Sequence, residues 1–320
     1  MRKTLTIAVL LLAFGSAQAH IPPGVVLGVW QWPSNALPTM DGDIGEWEVI
    51  PDYLWLTPST LDTDGNALFH AVAGDHKGMD GTENDASDLT IRVAVAWNDE
   101  FDRMYFAQER FDDLYDRDVA EPPGACGGDD SIEVHVDADH SGGLLYYSGD
   151  DFPDTDEGRA ARTAANGRNA QIAHFRFPPI GEGNNAWHWL WVSAATWHDR
   201  EPYSCCPDSY DLDGEHGGTD VTLTAEWWSV YFNALDHQSP EESVIAPLSE
   251  GQIIGMGVAF CDIDGASNED GHNSVWRSGG PGGARWYADS EFVSDWILLE
   301  DMMTAVESNS WGHVKASFQQ

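Results

Sequence analysis

Oxygen-bearing side chains stand at every second position of one short stretch: Asp137, Asp139 and Ser141, followed directly by two glycines. Carboxylate and hydroxyl oxygens are the ligands that hard cations prefer, and glycine permits the sharp turn that such a loop needs. No glutamate closes the stretch as in a full EF-hand loop, and its flanks are strand-like rather than helical. The pattern therefore favours a calcium loop on a β scaffold, with a solvated acidic turn as the alternative.

Further carboxylates accompany this stretch. Asp129 and Asp130 precede it, and an Asp-x-Asp-Gly sequence at 262–265 supplies Asp262 and Asp264. The same theme recurs at 62–65 and 211–214. Asp-Gly alone is an ordinary turn, but its recurrence favours at least one bound calcium ion, for which these four aspartates are additional candidate ligands.

The elements that must position these residues are strands. Polar and apolar residues alternate from Ser131 to Val136, which is typical of a half-buried strand. Similar alternations separated by Gly-, Pro- and Asp-rich joints occur at 89–97, 104–109, 170–177, 187–194, 221–232, 253–260 and 296–299. Only 158–167 and 301–318 show helical periodicity. The sequence predicts an all-β fold: a two-sheet antiparallel β-sandwich of jelly-roll or immunoglobulin type, with long acidic loops and a short C-terminal helix.

The N-terminal residues 1–19 have the pattern of a secretory signal: Arg2 and Lys3, an apolar run, and Ala-Gln-Ala at 17–19. The apolar run is too short to span a bilayer. We therefore expect an exported β-sandwich domain at 20–302 and a tail at 303–320 with the spacing of a small amphipathic helix. The expected location is secreted or extracytoplasmic, in a periplasm or at a cell surface, without membrane insertion.

Composition narrows the range of partners. Acidic residues outnumber basic ones 54 to 15, which gives a formal net charge of −39. A chain of this charge repels nucleic acid and anionic membrane surfaces, and it attracts cations. An acidic surface is also typical of adaptation to salt. The sequence indicates no oligomeric state.

The four cysteines of an exported chain are expected to form disulfides. Four cysteines allow three pairings, and a bond between the adjacent Cys205 and Cys206 would be strained. Because Cys126 and the Cys205–Cys206 pair both lie in Gly/Pro-rich stretches, the favoured prediction joins Cys126 to Cys205 or Cys206.

Fifteen tryptophans offer flat apolar surface. Alternation at 187, 189 and 191 predicts that three of them share the core face of a strand. Trp276 and Trp286 instead bracket a glycine-rich loop that contains Arg277 and Arg285. Pyranose C–H groups pack on aromatic faces, and guanidinium groups donate to hydroxyls. These four residues are the candidate carbohydrate-binding set, with simple loop anchoring as the alternative.

No catalytic motif stands out. The chain lacks Gly-x-Ser-x-Gly, His-Glu-x-x-His and Cys-x-x-Cys-His sequences, and among 54 acids a glycosidase-type carboxylate pair carries no information. We expect a protein without enzymatic activity.

A succession of motifs resembles the family 9 carbohydrate-binding module and its DOMON-like relatives over about residues 38–300. The matching pieces are Met40–Trp47 with Asp-Gly near Glu-Trp, Trp97–Glu100, Met104–Ala107 leading to Asp112-Asp113, Asp129–Asp137, Glu226–Leu235, Gly251–Asp264 and Ser294–Leu299. The resemblance implies a β-sandwich, often with structural calcium, that holds sugar between aromatic side chains. The loops are longer than a compact module's, and no sugar-clamping tryptophan pair aligns residue by residue.

These observations predict a secreted, non-catalytic carbohydrate-binding protein that calcium stabilises and that binds a polysaccharide or glycan. Two alternatives stay open: a haem-binding DOMON-like electron-transfer domain, and an extracellular structural or assembly protein on the same scaffold.

Overall fold

The computed structural model describes residues 25–57, 69–71, 87, 89–117, 129–179, 187–191, 193–215, 217–262, 274–278 and 288–301, with backbone alone for 69–71 and 274–278. The predicted signal and C-terminal tail lie outside these residues. So do four residues of the expected sites: Cys126, Asp264, Arg285 and Trp286.

The described chain is built mainly from strands, as the alternating pattern predicts. The strands are β1 (Val26–Gln31), β2 (Phe69–Ala71), β3 (Leu89–Asn98), β4 (Arg103–Leu114), β5 (Ser131–Asp137), β6 (Gln171–Phe175), β7 (His188–Leu190), β8 (Ser204–Cys205), β9 (Tyr210–Asp213), β10 (Thr219–Ser229), β11 (Phe232–Ala234), β12 (Val244–Ile245), β13 (Ile253–Asp262), β14 (Ser274–Ser278) and β15 (Ser294–Leu298). Short 3₁₀ helices occupy Ile44–Val49, Asp52–Leu54, Gly149–Asp151, Pro240–Glu242 and Ser290–Phe292.

Thirteen of the described strands form two packed sheets, and β11 and β12 pair only with each other. In the first sheet the order is β7-β6-β5-β13-β15, with β14 beside the second half of β13 and β2 beside β14. In the second sheet the order is β3-β4-β10, with β8 and β9 beside β10. The predicted two-sheet β-sandwich is confirmed.

One strand departs from the antiparallel prediction. Val26–Val29 of β1 pair in parallel with β15 of the first sheet, and Trp30 and Gln31 pair in parallel with β3 of the second. Strand β1 therefore crosses from one sheet to the other and links them through backbone hydrogen bonds.

The core between the sheets is rich in aromatic rings. Phe106 and Trp227 of the second sheet stack with ring centroids 5.2 Å apart, and Phe175 of the first sheet lies 4.8 Å from Trp227. Side chains at alternate positions of β5, such as Ile132 and Val134, also point into this core. Four tryptophans from the motif segments quoted above are all buried: Trp47, Trp97, Trp227 and Trp296.

The single α-helix within the described residues, α1 (Asp156–Ala165), confirms the predicted helix with a shift of two residues. Thr155 caps its start by accepting a hydrogen bond from the Gly158 amide at 3.0 Å, and acidic residues occupy its first turn. The part of the chain that the structure describes holds no helix long and apolar enough to cross a bilayer. The helix predicted at 301–318 lies almost entirely outside that part.

Two local predictions are wrong. Cys205 and Cys206 are bonded to each other rather than to Cys126. Cys205 pairs with β10, and the chain then reverses at Cys206, where φ is 103°, so the adjacent sulfur atoms meet. Cys261 is also disulfide-bonded.

The three alternating tryptophans do not share the core face. Strand β7 covers only His188–Leu190, so the alternation ends before Trp191. Trp187 packs in the main core, Trp189 stacks on the outer face of the first sheet, and Trp191 packs against a separate small cluster.

Candidate functional site

One row of residues crosses six strands of the first sheet. Successive cross-strand pairs place in this row Trp189, His174, Glu133, Ala259, Arg277 and His70. Cross-strand partners share one face of a sheet, and this face is opposite to the one that carries Ile132 and Val134 into the core. The outer face therefore carries the side chains of Trp189, His174 and Glu133. The backbone positions of Arg277 and His70 continue the same row. We call Glu133, His135, His174 and Trp189 the outer site.

Glu133 lies between two imidazoles of the outer site. Its Oε2 atom is 3.0 Å from Nε2 of His135 and hydrogen-bonded to it. Its Oε1 atom is 3.1 Å from Nε2 of His174, without a directed hydrogen bond. Burial lowers the pKa of His174 to about 4, although Glu133 opposes that shift, while His135 adds to it. The His174 ring is therefore neutral at neutral pH and offers both a donor and an acceptor nitrogen.

Trp189 covers the imidazole of His174. The two rings stack with centroids 4.8 Å apart and planes inclined by 23°. The guanidinium of Arg176 lies 5.4 Å from the Trp189 ring centroid and also bonds Asp129 at 2.6 Å. The outer site thus combines an aromatic ring with charged and neutral hydrogen-bonding groups, and all four of its residues are buried.

Four aromatic residues continue from the outer site along the edge of the sheet. We call Trp191, Tyr146, Tyr147 and Phe152 the aromatic edge. Trp191 and Tyr146 have ring centroids 4.9 Å apart, and Tyr147 and Phe152 have theirs 5.7 Å apart. All four are half-exposed. A hydrogen bond from the Tyr147 amide to Oδ1 of Asn166, 2.7 Å long, fixes this segment against the end of α1.

The acidic turn after β5 is closed by hydrogen bonds of its own. The Asp137 carboxylate accepts from the amides of Ser141 at 3.2 Å and Gly142 at 2.7 Å, and Asp139 accepts from Ser141 at 3.1 Å. Burial raises the pKa of Asp137, against the lowering effect of the amide bonds. The carboxylate oxygens therefore organise the turn, and calcium ligation by Asp137, Asp139 and Ser141 stays a prediction.

The other predicted metal ligands that the structure describes lie against arginines. Asp129 binds Arg176, while Arg110 donates to Asp130 at 2.8 Å and to Asp262 at 3.2 Å. Arg110 also binds Asp112, whose ligand atoms lie within 4.8 Å of those of Asp130 and Asp262. This buried cluster joins the two sheets at one end. A guanidinium already supplies positive charge there, so metal ligation by these aspartates also stays a prediction.

Two of the four predicted carbohydrate-binding residues lie within the described residues, and they belong to a strand rather than flanking a loop. Trp276 and Arg277 belong to β14, opposite Phe260 and Ala259 of β13. The register brings Arg277 into the row of the outer site. Sequence reasoning missed Glu133, His174 and Trp189 as site residues, although the strand-like alternation at 131–136 already placed Glu133 on a polar face.

Comparisons with known proteins give structural likeness only. No family model matches the chain, and no curated protein matches it. A family 9 carbohydrate-binding module from Caldicellulosiruptor kristjanssonii, in complex with cellotriose, is 10% identical with a TM-score of 0.47, and the match covers 86% of this chain and 94% of that one. The same kind of module with glucose is 11% identical, with a TM-score of 0.45 and coverage of 86% and 95%.

A third solved structure comes from Bacteroides uniformis, and carbohydrate binding has only been inferred for that protein. It is 11% identical, with a TM-score of 0.37 and coverage of 85% of this chain and 98% of that one. At such identities and TM-scores these likenesses carry no functional conclusion.

Proposed function

We propose that this chain is a non-catalytic carbohydrate-binding protein whose ligand lies along the aromatic edge, beside the buried outer site. One observation carries the proposal: the half-exposed rings of Trp191 and Tyr146 have centroids 4.9 Å apart, and the Trp191 ring lies 6.4 Å from that of His174. The order of motifs that resembles family 9 modules points to the same class of ligand.

The chemistry of this surface suits a sugar. A pyranose presents apolar C–H faces that pack on aromatic rings, while its hydroxyl groups need both donors and acceptors at their rim. Trp191 and Tyr146 supply half-exposed rings at the edge. Asp150 and Arg162, beside Phe152, supply an exposed acceptor and a half-exposed donor.

The proposal of binding without bond cleavage is supported by the surroundings of two carboxylates of this surface. Hydrolysis of a glycosidic bond usually requires two carboxyl groups that flank the bond. On the described part of the outer face, Glu133 contacts two imidazoles and Asp129 is paired with Arg176.

Calcium and export form a second part of the proposal. We propose that calcium binds weakly at the Asp137–Ser141 turn, supported by two carboxylates within one tight loop. Export is supported by the signal pattern at 1–19. The haem and assembly alternatives gain no specific support from the described residues.

A glycan array followed by calorimetry tests the carbohydrate proposal. We expect Trp191→Ala and Tyr146→Ala each to weaken binding of the best array ligand about tenfold, because each removes a stacking ring. Tyr53→Ala is the matched control, since Tyr53 is an exposed aromatic on the second sheet's side of the molecule. Equal loss in the control, or a folded protein that binds no glycan, contradicts the proposal.

A further inference from the structure

A pocket of about 280 Å³ opens where the aromatic edge meets the start of α1. Its walls come from the 3₁₀ turn Gly149–Asp151, the Phe152-Pro153 segment and the first two turns of the helix. This volume is close to the lower limit of small-molecule sites, and it suits one monosaccharide unit rather than a chain. The pocket is thus placed to receive the end of a ligand that lies along the aromatic edge.

The walls of the pocket are held in place by local structure. A side chain at Gly158 would put its Cβ atom 1.9 Å from the carbonyl oxygen of Pro153, so the helix and the preceding segment pack backbone to backbone. The Ser148 amide donates to Asp151 at 2.6 Å and fixes the 3₁₀ turn. The pocket therefore exists before any ligand arrives, which lowers the cost of binding.

Two arginines line the pocket, and they differ in their partners. Arg159 is ion-paired with Asp154 and Asp156. Arg162 lies over Gly149, with Nη1 3.2 Å from the position of a Cβ atom there, and its guanidinium makes no ion pair or hydrogen bond within the described residues. Because the chain has 54 acidic and only 15 basic residues, most guanidinium groups are expected to have a carboxylate partner, and Arg162 is an exception among the described residues.

The remaining groups of the pocket complement Arg162. The ring of Phe152 forms an apolar wall, and the exposed carboxylate of Asp150 stands on the 3₁₀ turn. A guanidinium binds a carboxylate through two parallel hydrogen bonds, an aspartate accepts from hydroxyl groups, and an aromatic ring packs on sugar C–H groups. A uronic acid carries all three features on one ring.

We propose that this pocket binds a uronic acid unit, with its carboxylate on Arg162, its hydroxyls toward Asp150 and its ring against Phe152. The inference rests on the proposed carbohydrate-binding function and names the ligand class at one end of that surface. The chain's net charge of −39 repels polyanions at long range, so the pocket selects a single acidic unit rather than a densely charged polymer.

Calorimetry with D-glucuronate and D-glucose on the full chain, in about 0.5 M NaCl to screen the net charge, tests the inference. We expect glucuronate to bind at least about tenfold more tightly than glucose, and Arg162→Gln to abolish this preference. Arg168→Gln is the matched control, because it removes the same charge from an exposed position just after the helix. That variant should keep the preference.

Three results would overturn the inference: equal affinity for the two sugars, equal loss in both arginine variants, or a sulfated monosaccharide that binds more tightly than glucuronate. Its failure can be separated from failure of the carbohydrate proposal. If neutral oligosaccharides bind and Trp191→Ala weakens them, while glucuronate is not preferred, only the uronate assignment is wrong. If neither class of sugar binds, both proposals are wrong.

Discussion

The two outer faces of the sandwich each place a glutamate at the middle of a strand beside tryptophan, yet the two glutamates have different partners. Glu226 of β10 accepts from the Trp47 indole at 2.7 Å and from the amides of Asp41 and Gly42 at 2.8 and 3.0 Å. Glu133 of β5 contacts two imidazoles instead. Both glutamates are buried, but residues 41–47 supply the donors to Glu226, whereas side chains of the first sheet itself surround Glu133.

Residue type alone does not separate these faces. Among the described residues, both faces carry indole N–H groups that find no hydrogen-bond partner there, at Trp30, Trp32 and Trp55 as well as at Trp189. The two faces differ in the hydrogen-bond donors around the glutamate. Backbone amides and an indole from residues 41–47 donate to Glu226 and cover it. We therefore expect backbone amides to mark Glu226 as a structural glutamate, whereas the proposed role of Glu133 in binding requires the test below.

Removal of the two carboxylates tests this contrast and has the largest expected effect. Glu226→Ala leaves three donors without an acceptor, two of them buried, so we expect the free energy of unfolding to fall by about 4 kcal/mol. Glu133→Ala removes the partner of two imidazoles, one of them the neutral ring of His174, and we expect a loss of about 2 kcal/mol with the glycan affinity largely gone. Urea denaturation and calorimetry on both variants measure the two quantities.

The comparison breaks if the effects are reversed or equal. Equal destabilisation by both variants, with glycan affinity retained in Glu133→Ala, would make Glu133 a structural residue like Glu226. Glu226→Gln is the milder variant if Glu226→Ala does not fold, because it keeps the shape and an acceptor oxygen.

Acid should act on the two faces in opposite directions. The pKa of His174 in the folded protein is lowered from 6.5 to about 4 by burial, so the unfolded state binds more protons between those values. The contribution of His174 to stability is therefore complete above pH 6.5 and is lost as the pH falls toward 4, at a cost of about 3 kcal/mol. Burial raises the pKa of Glu226, which makes that carboxyl gain stability on acidification.

Denaturation at pH 7 and pH 4.5 measures this difference. We expect His174→Gln to remove a large part of the loss on acidification, while His237→Gln, at a half-exposed position, leaves the loss unchanged. The core residue His198, whose pKa burial also lowers to about 4, adds to the loss in wild type and in both variants. An unchanged pH dependence in His174→Gln would show that His174 is not the neutral, buried group that the outer site requires.

Local pattern predicted much of the fold. The alternation at 89–97 and 104–109 predicted two neighbouring strands, which the structure shows as β3 and β4. They pair in antiparallel fashion from Asn98 opposite Arg103 to Leu89 opposite Asp112. The helix near residue 160 and the buried tryptophans also followed from pattern. These features depend on neighbours within a few residues or on burial of one face, which a single sequence carries.

The site could not be predicted in the same way, because its members meet only through strand order. Glu133 lies beside His174 on one side and Ala259 on the other, from strands far apart in the chain. The parallel pairing of β1 with β15 and β3 likewise joins the two ends of the described chain. Side-chain alternation fixes which face a residue occupies, but it does not fix which strand lies next to it.

Calcium should change stability least among these tests. The carboxylates of the turn after β5 already accept hydrogen bonds from the turn's own backbone amides. Amides of Ser141 and Gly142 occupy the Asp137 oxygens, so a bound ion must compete with them. We expect saturating calcium to raise the free energy of unfolding by only about 1 kcal/mol relative to EDTA at constant ionic strength. Asp137→Asn should abolish the rise, and Asp211→Asn, in the exposed β9, should not. An equal rise with magnesium, or in Asp137→Asn, would assign the effect to charge screening and leave the turn as a hydrogen-bonded support for the outer site.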